Sequence, residues 1–297
     1  MMTDLNALAV FTLVAQERSF RAAADRLGVT RSAVSQTIGR LEATLGLALV
    51  RRTTRSVSLT EAGERLNAAL APAMAEIHAA VESTGDLTGR PRGQLRVAVS
   101  SIAERFLAGP LLAGFAAACP DVQIDITVTD EEFDIVAEGF DAGVRLGEVI
   151  EQDMIAVPVS GEQRQTVVGA PGYFARAGAP IHPRALVSHR CIGWRPAPHV
   201  APYRWEFTEQ GKDFAVAVAP EITTNDMALM IKLAVAGAGI TFGMEETFRP
   251  FVARGELVPI LGAYCPPFAG FYLYYPNRRN LAPKLRALID HVRDRRE

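Results

Sequence analysis

The sequence predicts an α/β protein with a small helical domain at its N-terminus and a larger domain of alternating strands and helices behind it. Residues 19–42 contain two helical segments separated by a glycine turn. From Gln94 onward, short apolar strands alternate with helical segments, which predicts a doubly wound parallel sheet. Residues 1–60 carry eight arginines against four acidic residues, a formal +4, so the rest of the chain carries −6 of the total of −2. A basic head on an acidic body indicates that one domain binds phosphates.

The segment 19–42 has the pattern of a helix-turn-helix. Ser19 and Thr30 each precede a helical segment and can accept hydrogen bonds from its first backbone N–H groups, and Gly28 can adopt the left-handed turn conformation. A helical hairpin with a solvated outer face is the simplest alternative. In the second helix, the residues expected to face inward recur at helical spacing: Val34, Ile38, Leu41 and Leu45.

The outer face of this second helix is polar and carries arginines, as in helices that read the DNA major groove. The Arg31 guanidinium is suited either to guanine O6 and N7 or to a phosphate, and these two roles have opposite consequences for specificity. A basic turn follows and leads into a short strand that ends at Leu59, which is the pattern of a wing that meets phosphates or the minor groove. The predicted DNA contacts are Thr30, Arg31, Ser32, Ser35, Gln36 and Arg40 on the helix, and Arg51, Arg52 and Arg55 on the wing.

A third helix is predicted from Thr60 to about Gly85, with alanines on both sides of an apolar stripe. Such a stripe is suited to pairing with a second copy of the helix, or to packing on the N-terminal domain of its own chain. Residues 88–93 then form a Gly- and Pro-containing hinge. The residues of the predicted dimerisation stripe are Leu66, Leu70, Met74, Ile77 and Val81.

The remaining elements follow from hydrophobic periodicity and from glycine and proline breaks. The strands are predicted at 94–100, 123–128, 142–146, 155–159, 165–169, 239–242 and 270–275. The helices are predicted at 104–119, 133–138, 227–236 and 282–296.

The N-terminal motifs resemble those of LysR-type transcriptional regulators. The resemblance rests on the run from Leu27 to Gln36, on Arg40-Leu41-Glu42, on Leu45-Gly46 and on the segment from Arg52 to Gly63. Two residues depart from the common pattern: Arg31 stands where glutamine is frequent, and Val50 stands where an aromatic residue is common. The first bears on base preference and the second on packing.

The resemblance implies a winged helix-turn-helix at 1–59, a linker helix and hinge at 60–92, and an effector domain at 93–297. The effector domain would have two Rossmann-like lobes, as in periplasmic binding proteins, with lobe I at 93–160 and 267–297 and lobe II at 161–266. It further implies a homodimer or homotetramer on double-stranded promoter DNA, a small effector between the lobes, and a contact with RNA polymerase. Effector binding would close the lobes and shift the arrangement of the bound DNA sites.

Polar residues at the carboxyl ends of the strands are the candidates for effector binding. Ser100 and Ser101 offer hydroxyl and N–H groups suited to a carboxylate, or act only as helix caps, and Arg145 either binds an anionic ligand or pairs with Asp141 or Glu148. Asn225 is either a ligand contact or a helix cap. The predicted effector contacts are Ser100, Ser101, Thr127, Thr129, Arg145, Trp194 and Asn225.

Composition and motif content argue against an enzyme. The chain has no G-x-S-x-G, H-E-x-x-H, Walker or G-x-G-x-x-G motif, and its five histidines are scattered, so no catalytic residue, metal or cofactor is predicted. Its three cysteines are far apart, which favours structural burial over redox sensing. At 49% hydrophobic and 22% charged residues, without a signal-peptide pattern, we expect a cytoplasmic protein. A transport-type solute-binding module is the alternative, and it would not bind DNA.

Overall fold

The computed structural model describes residues 4–52, 57–84, 90–107, 109–277 and 281–295. They form an N-terminal head, a long connecting helix and two α/β lobes. Among these residues, no helix combines the length and apolarity required to cross a membrane.

The head is built from three helices and a two-stranded sheet. Helices α1 (Leu5–Glu17), α2 (Phe20–Leu27) and α3 (Arg31–Leu45) precede strands β1 (Val50–Arg52) and β2 (Val57–Leu59), which pair antiparallel. The strands are the base of the predicted wing, and its tip, which includes Arg55, lies outside the described residues. The side chains at the centre of the head core are Phe11, Val14, Phe20, Val34, Ile38 and Leu41.

The capping residues act as predicted. Ser19 Oγ accepts a hydrogen bond from Ala22 N at 3.2 Å, and Thr30 Oγ1 accepts one from Ala33 N at 3.2 Å. Gly28 ends α2 with φ of 65°, in the left-handed region that glycine adopts without strain. The prediction was wrong for Leu45, which is 38% exposed because it lies in the last turn of α3, beyond the core.

Helix α4 (Glu61–Thr84) connects the head to the lobes. The N-terminal part of its predicted apolar stripe packs on the head, and the C-terminal part is exposed to solvent. Leu66 and Leu70 pack against the head core, which is the alternative that the sequence left open for this stripe. They contact their own domain because α4 begins directly after β2 and is held against it. Ile77 and Val81 are 47% and 65% exposed.

Lobe I contains a five-stranded sheet in the order β4-β3-β5-β14-β6. Strand β3 runs parallel to β4 and β5, whereas β14 runs antiparallel to β5 and β6. Three helices pack on one face of the sheet. The elements are β3 (Gly93–Val99), α5 (Glu104–Leu107), α6 (Pro110–Ala118), β4 (Val122–Val128), β5 (Ala142–Leu146), β6 (Met154–Pro158), β14 (Phe271–Pro276) and α10 (Pro283–Asp294).

Lobe II contains a second five-stranded sheet, in the order β11-β8-β12-β7-β13, and a separate antiparallel hairpin formed by β9 and β10. The elements are β7 (Gln165–Gly169), α7 (Pro171–Ala177), β8 (Cys191–Trp194), β9 (Trp205–Glu209), β10 (Lys212–Val216), β11 (Ile222–Thr224), α8 (Met227–Val235), β12 (Ile240–Met244), α9 (Glu245–Ala253) and β13 (Val258–Ile260).

Three predictions for the lobes need correction. Each sheet is mixed instead of wholly parallel. Three strands on one side of the sheet run parallel, β4, β3 and β5 in lobe I and β11, β8 and β12 in lobe II. The strands by which the chain enters from the other lobe, β14 and β7, pair antiparallel with both of their neighbours. The helix predicted at 104–119 is two helices, since Gly109 has φ of 70° and Pro110 begins α6. The segment 133–138 forms turns instead of a helix, because Asp134 Oδ1 accepts from the N–H groups of Val136 and Ala137 at 2.8 and 3.2 Å.

The chain crosses between the two sheets twice, after β6 and before β14. The two crossing segments pair with each other: Gln163 N donates to Phe268 O at 2.9 Å, and Phe268 N donates to Gln163 O at 2.8 Å. Ser160 Oγ accepts from Phe271 N at 2.9 Å. The lobes are therefore joined through one hydrogen-bonded double connection.

Candidate functional site

Helix α3 presents the predicted recognition face to solvent. Arg31, Ser32, Gln36 and Arg40 are exposed and Ser35 is half-buried, while the opposite face is buried in the head core. Thr30, also exposed, caps the helix and lies 3.0 Å from Ser32 through their hydroxyl oxygens. The arrangement leaves the Arg31 and Arg40 side chains on one solvent-facing surface.

A carboxylate that the sequence analysis did not single out fixes the wing relative to this helix. Glu42 Oε1 accepts hydrogen bonds from Leu49 N at 2.8 Å and Val50 N at 3.1 Å. Because these two N–H groups open β1, Glu42 sets where the wing starts. Glu42 lies directly after Arg40-Leu41 and four residues before Gly46, the glycine that ends α3. This position near the end of the helix was the available sequence signal for a contact with the following strand.

The first turn of α4 is locked to the same strand. Thr60 Oγ1 donates to Ala48 O at 2.6 Å and accepts from Gly63 N at 3.1 Å. A Cβ atom on Gly63 would collide with the Leu49 carbonyl oxygen, so only glycine allows the helix to approach this closely. The wing base, α3 and the start of α4 consequently form one unit.

Two of the three predicted wing arginines lie on strand β1. Arg51 is exposed on β1 and lies opposite Ser58 on β2. Arg52 lies opposite Val57, and Arg55 lies outside the described residues.

In the lobes, three predicted effector residues carry buried polar atoms without partners. Ser100 and Ser101 follow β3 in lobe I, and Trp194 ends β8 in lobe II. Ser100 Oγ, Ser101 Oγ and Trp194 Nε1 are buried and make no hydrogen bond to the described part of the chain. The serine hydroxyls therefore do not cap α5, so the alternative that they act only as helix caps was wrong. Buried polar groups of this kind are costly unless another molecule satisfies them.

The other predicted contacts in lobe I are engaged within that lobe. Arg145 donates to the Glu131 carbonyl oxygen and lies over the Phe133 ring at 5.4 Å, and within the described residues it forms no ion pair with Asp141 or Glu148. Thr129 Oγ1 accepts from Glu131 N at 3.3 Å, whereas Thr127 is exposed on the edge strand β4. These contacts keep the 129–133 segment close to the end of the lobe I sheet.

The Ser101 backbone N–H already has an anionic partner. Asp130 Oδ1 accepts from it at 2.8 Å. From the sequence we expected this N–H to bind an anionic ligand. Asp130 takes that place, and its position directly after Thr129 was the available signal.

In lobe II, Asn225 and Trp194 lie at the carboxyl ends of two neighbouring parallel strands. Thr224, the last residue of β11, pairs with Trp194 in register, and Asn225 follows it as an exposed residue. Asp226 supplies the cap of α8, accepting from Leu229 N at 3.0 Å. Asn225 is therefore not the helix cap.

A cavity of about 540 Å³ lies between the lobes. Leu146 and Glu148 line it from lobe I, while Gln165 and residues of the β9–β10 hairpin line it from lobe II. This hairpin was not among the elements predicted from the sequence. The alternation of Trp205 with Phe207 was the signal for its first strand.

The cysteines lie away from solvent. Burial raises the pKa of the Cys191 thiol to about 12, that of Cys265 to about 11 and that of Cys119 in the same direction. These thiols stay protonated at neutral pH, as expected for structural cysteines. Within the described ranges, no three His, Cys, Asp or Glu side chains group in a way that could hold a metal ion.

Two family models together match nearly the whole chain. Residues 5–64 match the model described as "Bacterial regulatory helix-turn-helix protein, lysR family", and residues 88–297 match the "LysR substrate binding domain".

Individual proteins are also similar to this chain over nearly its whole length. A putative transcriptional regulator of Pseudomonas aeruginosa is 41% identical over 290 residues, covering 98% of this chain and 95% of the relative. The uncharacterized HTH-type transcriptional regulator YcaN of Escherichia coli is 39% identical, covering 99% of this chain and 96% of the relative. The crystal structure of ArgP from Mycobacterium tuberculosis shares the fold with a TM-score of 0.68 at 20% identity, covering 99% of this chain and 97% of ArgP.

Proposed function

The chain belongs to the LysR family of bacterial transcription regulators, and from that premise we propose that α3 reads the DNA major groove while an effector bound between the lobes controls this reading. Members of this family are DNA-binding regulators with an effector-binding domain, and the chain is not an enzyme. They bind promoter DNA and small-molecule effectors and form oligomers.

The exposed face of α3 beside the wing is the observation that carries the DNA-binding proposal. Arg31 is the first residue of a helix that is anchored by three buried side chains on its other side. We propose that it contacts a base edge, since the N-terminal residues of a recognition helix reach furthest into the groove. Ser32, Ser35, Gln36 and Arg40 continue this contact, Thr30 orients the helix, and Arg51, Arg52 and Arg55 bind the phosphate backbone or the minor groove.

For the effector, the unpartnered hydroxyls of Ser100 and Ser101 and the Trp194 indole support a polar ligand that contacts both lobes. Asn225, at the same edge as Trp194, is a further contact in this proposal. The carboxylate effector expected from the sequence stays a prediction, and the two anchors assigned to it, the Ser101 N–H and Arg145, bind Asp130 and the Glu131 carbonyl.

Four further assignments stay proposals. They are the division into residues 1–59, 60–92 and 93–297, the roles of Thr127 and Thr129 in the effector site, a contact with RNA polymerase, and a cytoplasmic location beside the chromosome.

Selection of bound fragments from the source genome, followed by binding measurements on the recovered DNA, tests the proposal. Arg31→Ala should reduce specific affinity by about 1–3 kcal/mol and relax base preference, with an unchanged salt dependence. Arg51→Ala should weaken binding to all sequences and lower the salt slope by about one.

Arg176→Ala is the matched control, because Arg176 is exposed on α7 in lobe II and should leave both quantities unchanged. A salt slope that falls by one in Arg31→Ala would assign Arg31 to a phosphate instead of a base. Absence of salt-dependent DNA binding by the unmodified protein would overturn the proposal and favour a solute-binding module.

A further inference from the structure

A segment of lobe I, residues 129–139, runs from the effector cleft of the proposed function to the head. At its first end, Asp130 Oδ1 accepts from Ser101 N at 2.8 Å, and Thr129 N donates to the Val99 carbonyl at 2.9 Å. Both partners lie at or just after the end of β3, next to the buried serine hydroxyls. This end of the segment is therefore bonded to the place where the effector is proposed to bind.

The middle of the segment packs on the face of the lobe I sheet opposite helices α5, α6 and α10. Successive residues of a strand point to opposite faces of its sheet. Val97 and Val99 of β3 pack under these helices, whereas Ala98 packs with Ile135 and Val136 on the other face. Ile135 is 1% exposed, so the segment is a packed part of the lobe and not a solvent-exposed loop.

Hydrogen bonds within the segment tie its turns to each other. Glu138 N donates to the Asp134 carbonyl at 3.1 Å, and Gly139 N donates to the Val136 carbonyl at 3.0 Å. Contiguous packed and hydrogen-bonded groups of this kind can carry coupling between two sites. A displacement at Asp130 is therefore passed along the segment toward Glu138.

The other end of the segment contacts the head and α4. Glu138 Oε1 pairs with the Arg18 guanidinium at 3.1 Å, and the Gln16 side chain lies against Gly139. Ala71 of α4 is buried in the same apolar cluster as the middle of the segment. One short stretch of chain thus contacts the effector cleft, the head and the connecting helix.

The contact between the segment and the head is incompletely packed. A cavity of about 410 Å³ lies there, lined by residues of α1, of α4 and of lobe I, Val136 and Gly139 among them. Asn67 lies one helical turn before Ala71 and so on the same side of α4. It is 8% exposed, and its Oδ1 finds no hydrogen-bond partner in the described part of the chain. Unfilled space and an unsatisfied buried oxygen both lower the cost of opening this contact.

We propose that segment 129–139 transmits effector binding from the cleft to the head, and that the bond between Asp130 and the Ser101 N–H is its latch. This inference rests on the proposed function, since it names the regulatory route of that cleft. A ligand that takes over the Ser101 N–H displaces Asp130, which lets the segment shift on the sheet and opens its contacts with Arg18 and Ala71. The ligand thereby favours an arrangement in which the head is released from lobe I.

Hydrogen exchange of the full-length protein, without DNA or effector, tests the proposal because removal of the Asp130 carboxylate imitates its displacement. Asp130→Ala should accelerate exchange next to Ser101, in segment 134–139 and at the end of α1. The expected factor is about ten, the scale of one charge-assisted hydrogen bond. The N–H groups of Glu138 and Gly139 report on the segment directly, since both are hydrogen-bonded within it.

Asp226→Ala is the matched control, because Asp226 likewise accepts from one backbone N–H, that of Leu229 at 3.0 Å, but in lobe II. It should accelerate exchange in α8 and leave the contact between the head and lobe I unchanged. The proposal is overturned if Asp130→Ala accelerates exchange only next to Ser101 and in residues 129–133. It is also overturned if Asp226→Ala accelerates exchange in segment 134–139 to the same extent.

A second variant tests the latch from the opposite end, at a solvent-exposed ion pair. Coupling between two sites is reciprocal, so Glu138→Arg, which opens the head contact, should also accelerate exchange next to Ser101. The expected factor is about three, because an exposed ion pair contributes little. Unchanged exchange next to Ser101 in this variant would contradict the proposal. These measurements involve no DNA, so their failure is distinguishable from a loss of salt-dependent DNA binding, which would overturn the proposed function.

Discussion

At the scale of single residues, the serines after β3 and the serine in the first crossover segment differ in their hydrogen bonds. Ser100 and Ser101 have buried hydroxyls that find no hydrogen-bond partner in the described part of the chain. Ser160, also buried, donates to the Gly161 carbonyl at 2.9 Å and accepts from Phe271 N at 2.9 Å. The third hydroxyl holds the connection between the lobes, whereas the first two are left for the effector in the proposed function.

This contrast gives a stability prediction. Ser100→Ala and Ser101→Ala should leave the free energy of unfolding of the ligand-free protein unchanged within about 0.5 kcal/mol or raise it, because no hydrogen bond is lost. Ser160→Ala should lower it by about 1–3 kcal/mol, because Phe271 N loses its partner. Denaturant unfolding measures all three variants. A loss of stability in the cleft variants equal to that of Ser160→Ala would mean that their hydroxyls have structural partners.

Residue-level prediction from the sequence succeeded where the chemistry is local. Ser19, Gly28 and Thr30 were correctly identified as caps and turn, since their partners lie within three or four residues along the chain. Asp130 and Arg145 could not be assigned in this way. Their partners depend on how the 129–133 segment folds back on the lobe I sheet, which no local pattern specifies.

At the scale of elements, α4 approaches the residue before β1 so closely at Gly63 that an added Cβ atom would overlap the Leu49 carbonyl oxygen. Gly39, in the middle of α3, has no atom within 4 Å of the position that a Cβ would occupy. The two glycines therefore provide a matched pair of helix positions.

Gly63→Ala should destabilise the head by about 1–3 kcal/mol or more, because the added methyl group overlaps the Leu49 carbonyl. Gly39→Ala should stabilise it by about 0.5–1 kcal/mol through helix propensity. Thermal unfolding followed by circular dichroism measures the difference. Equal effects at the two positions would contradict the packing described for Gly63.

The C-terminal half of α4 carries the exposed candidates for the dimer contact. Ile77 is 47% exposed although it lies on an apolar stripe. We expect Ile77→Asp to weaken self-association at least about tenfold in sedimentation velocity, since it places a charge in an apolar contact. Glu76→Gln, at the neighbouring exposed position, should leave the association constant unchanged. Unaltered association of Ile77→Asp would place the dimer contact elsewhere.

Prediction of elements from the sequence worked best for helices with strong caps and for strands with apolar runs. It failed for α9, because Pro250 lies inside the helix, and for the β9–β10 hairpin, whose turn is Gln210-Gly211 with both residues at positive φ. The split between α5 and α6 was missed because Leu107, Leu111 and Phe115 keep helical spacing across the break.

At the scale of the whole molecule, the head contacts lobe I of its own chain. Arg18, which follows α1, forms an ion pair with Glu138 at 3.1 Å. The Gln16 side chain lies against Gly139, and Ala71 of α4 is buried with Ile135 and Val136. Segment 134–139 is thus positioned between the 129–133 segment of the cleft and the head.

Glu138→Arg should loosen this contact by placing like charges together. Because the pair is solvent-exposed, its contribution to global stability is small, about 0–1 kcal/mol. Hydrogen exchange should become faster at the end of α1 and in segment 134–139, with lobe II unchanged. The double variant Arg18→Glu with Glu138→Arg should restore protection, and a lack of rescue would show that the ion pair does not hold the head.

The paired crossovers have a mechanical consequence for signalling. Two separate strands between lobes would allow twisting, sliding and bending, but the bonds between Gln163 and Phe268 merge them into one ribbon. We expect such a ribbon to bend more easily than it twists, so that the lobes move mainly by opening and closing about it. Effectors of different shape would then differ chiefly in the angle at which they hold the lobes.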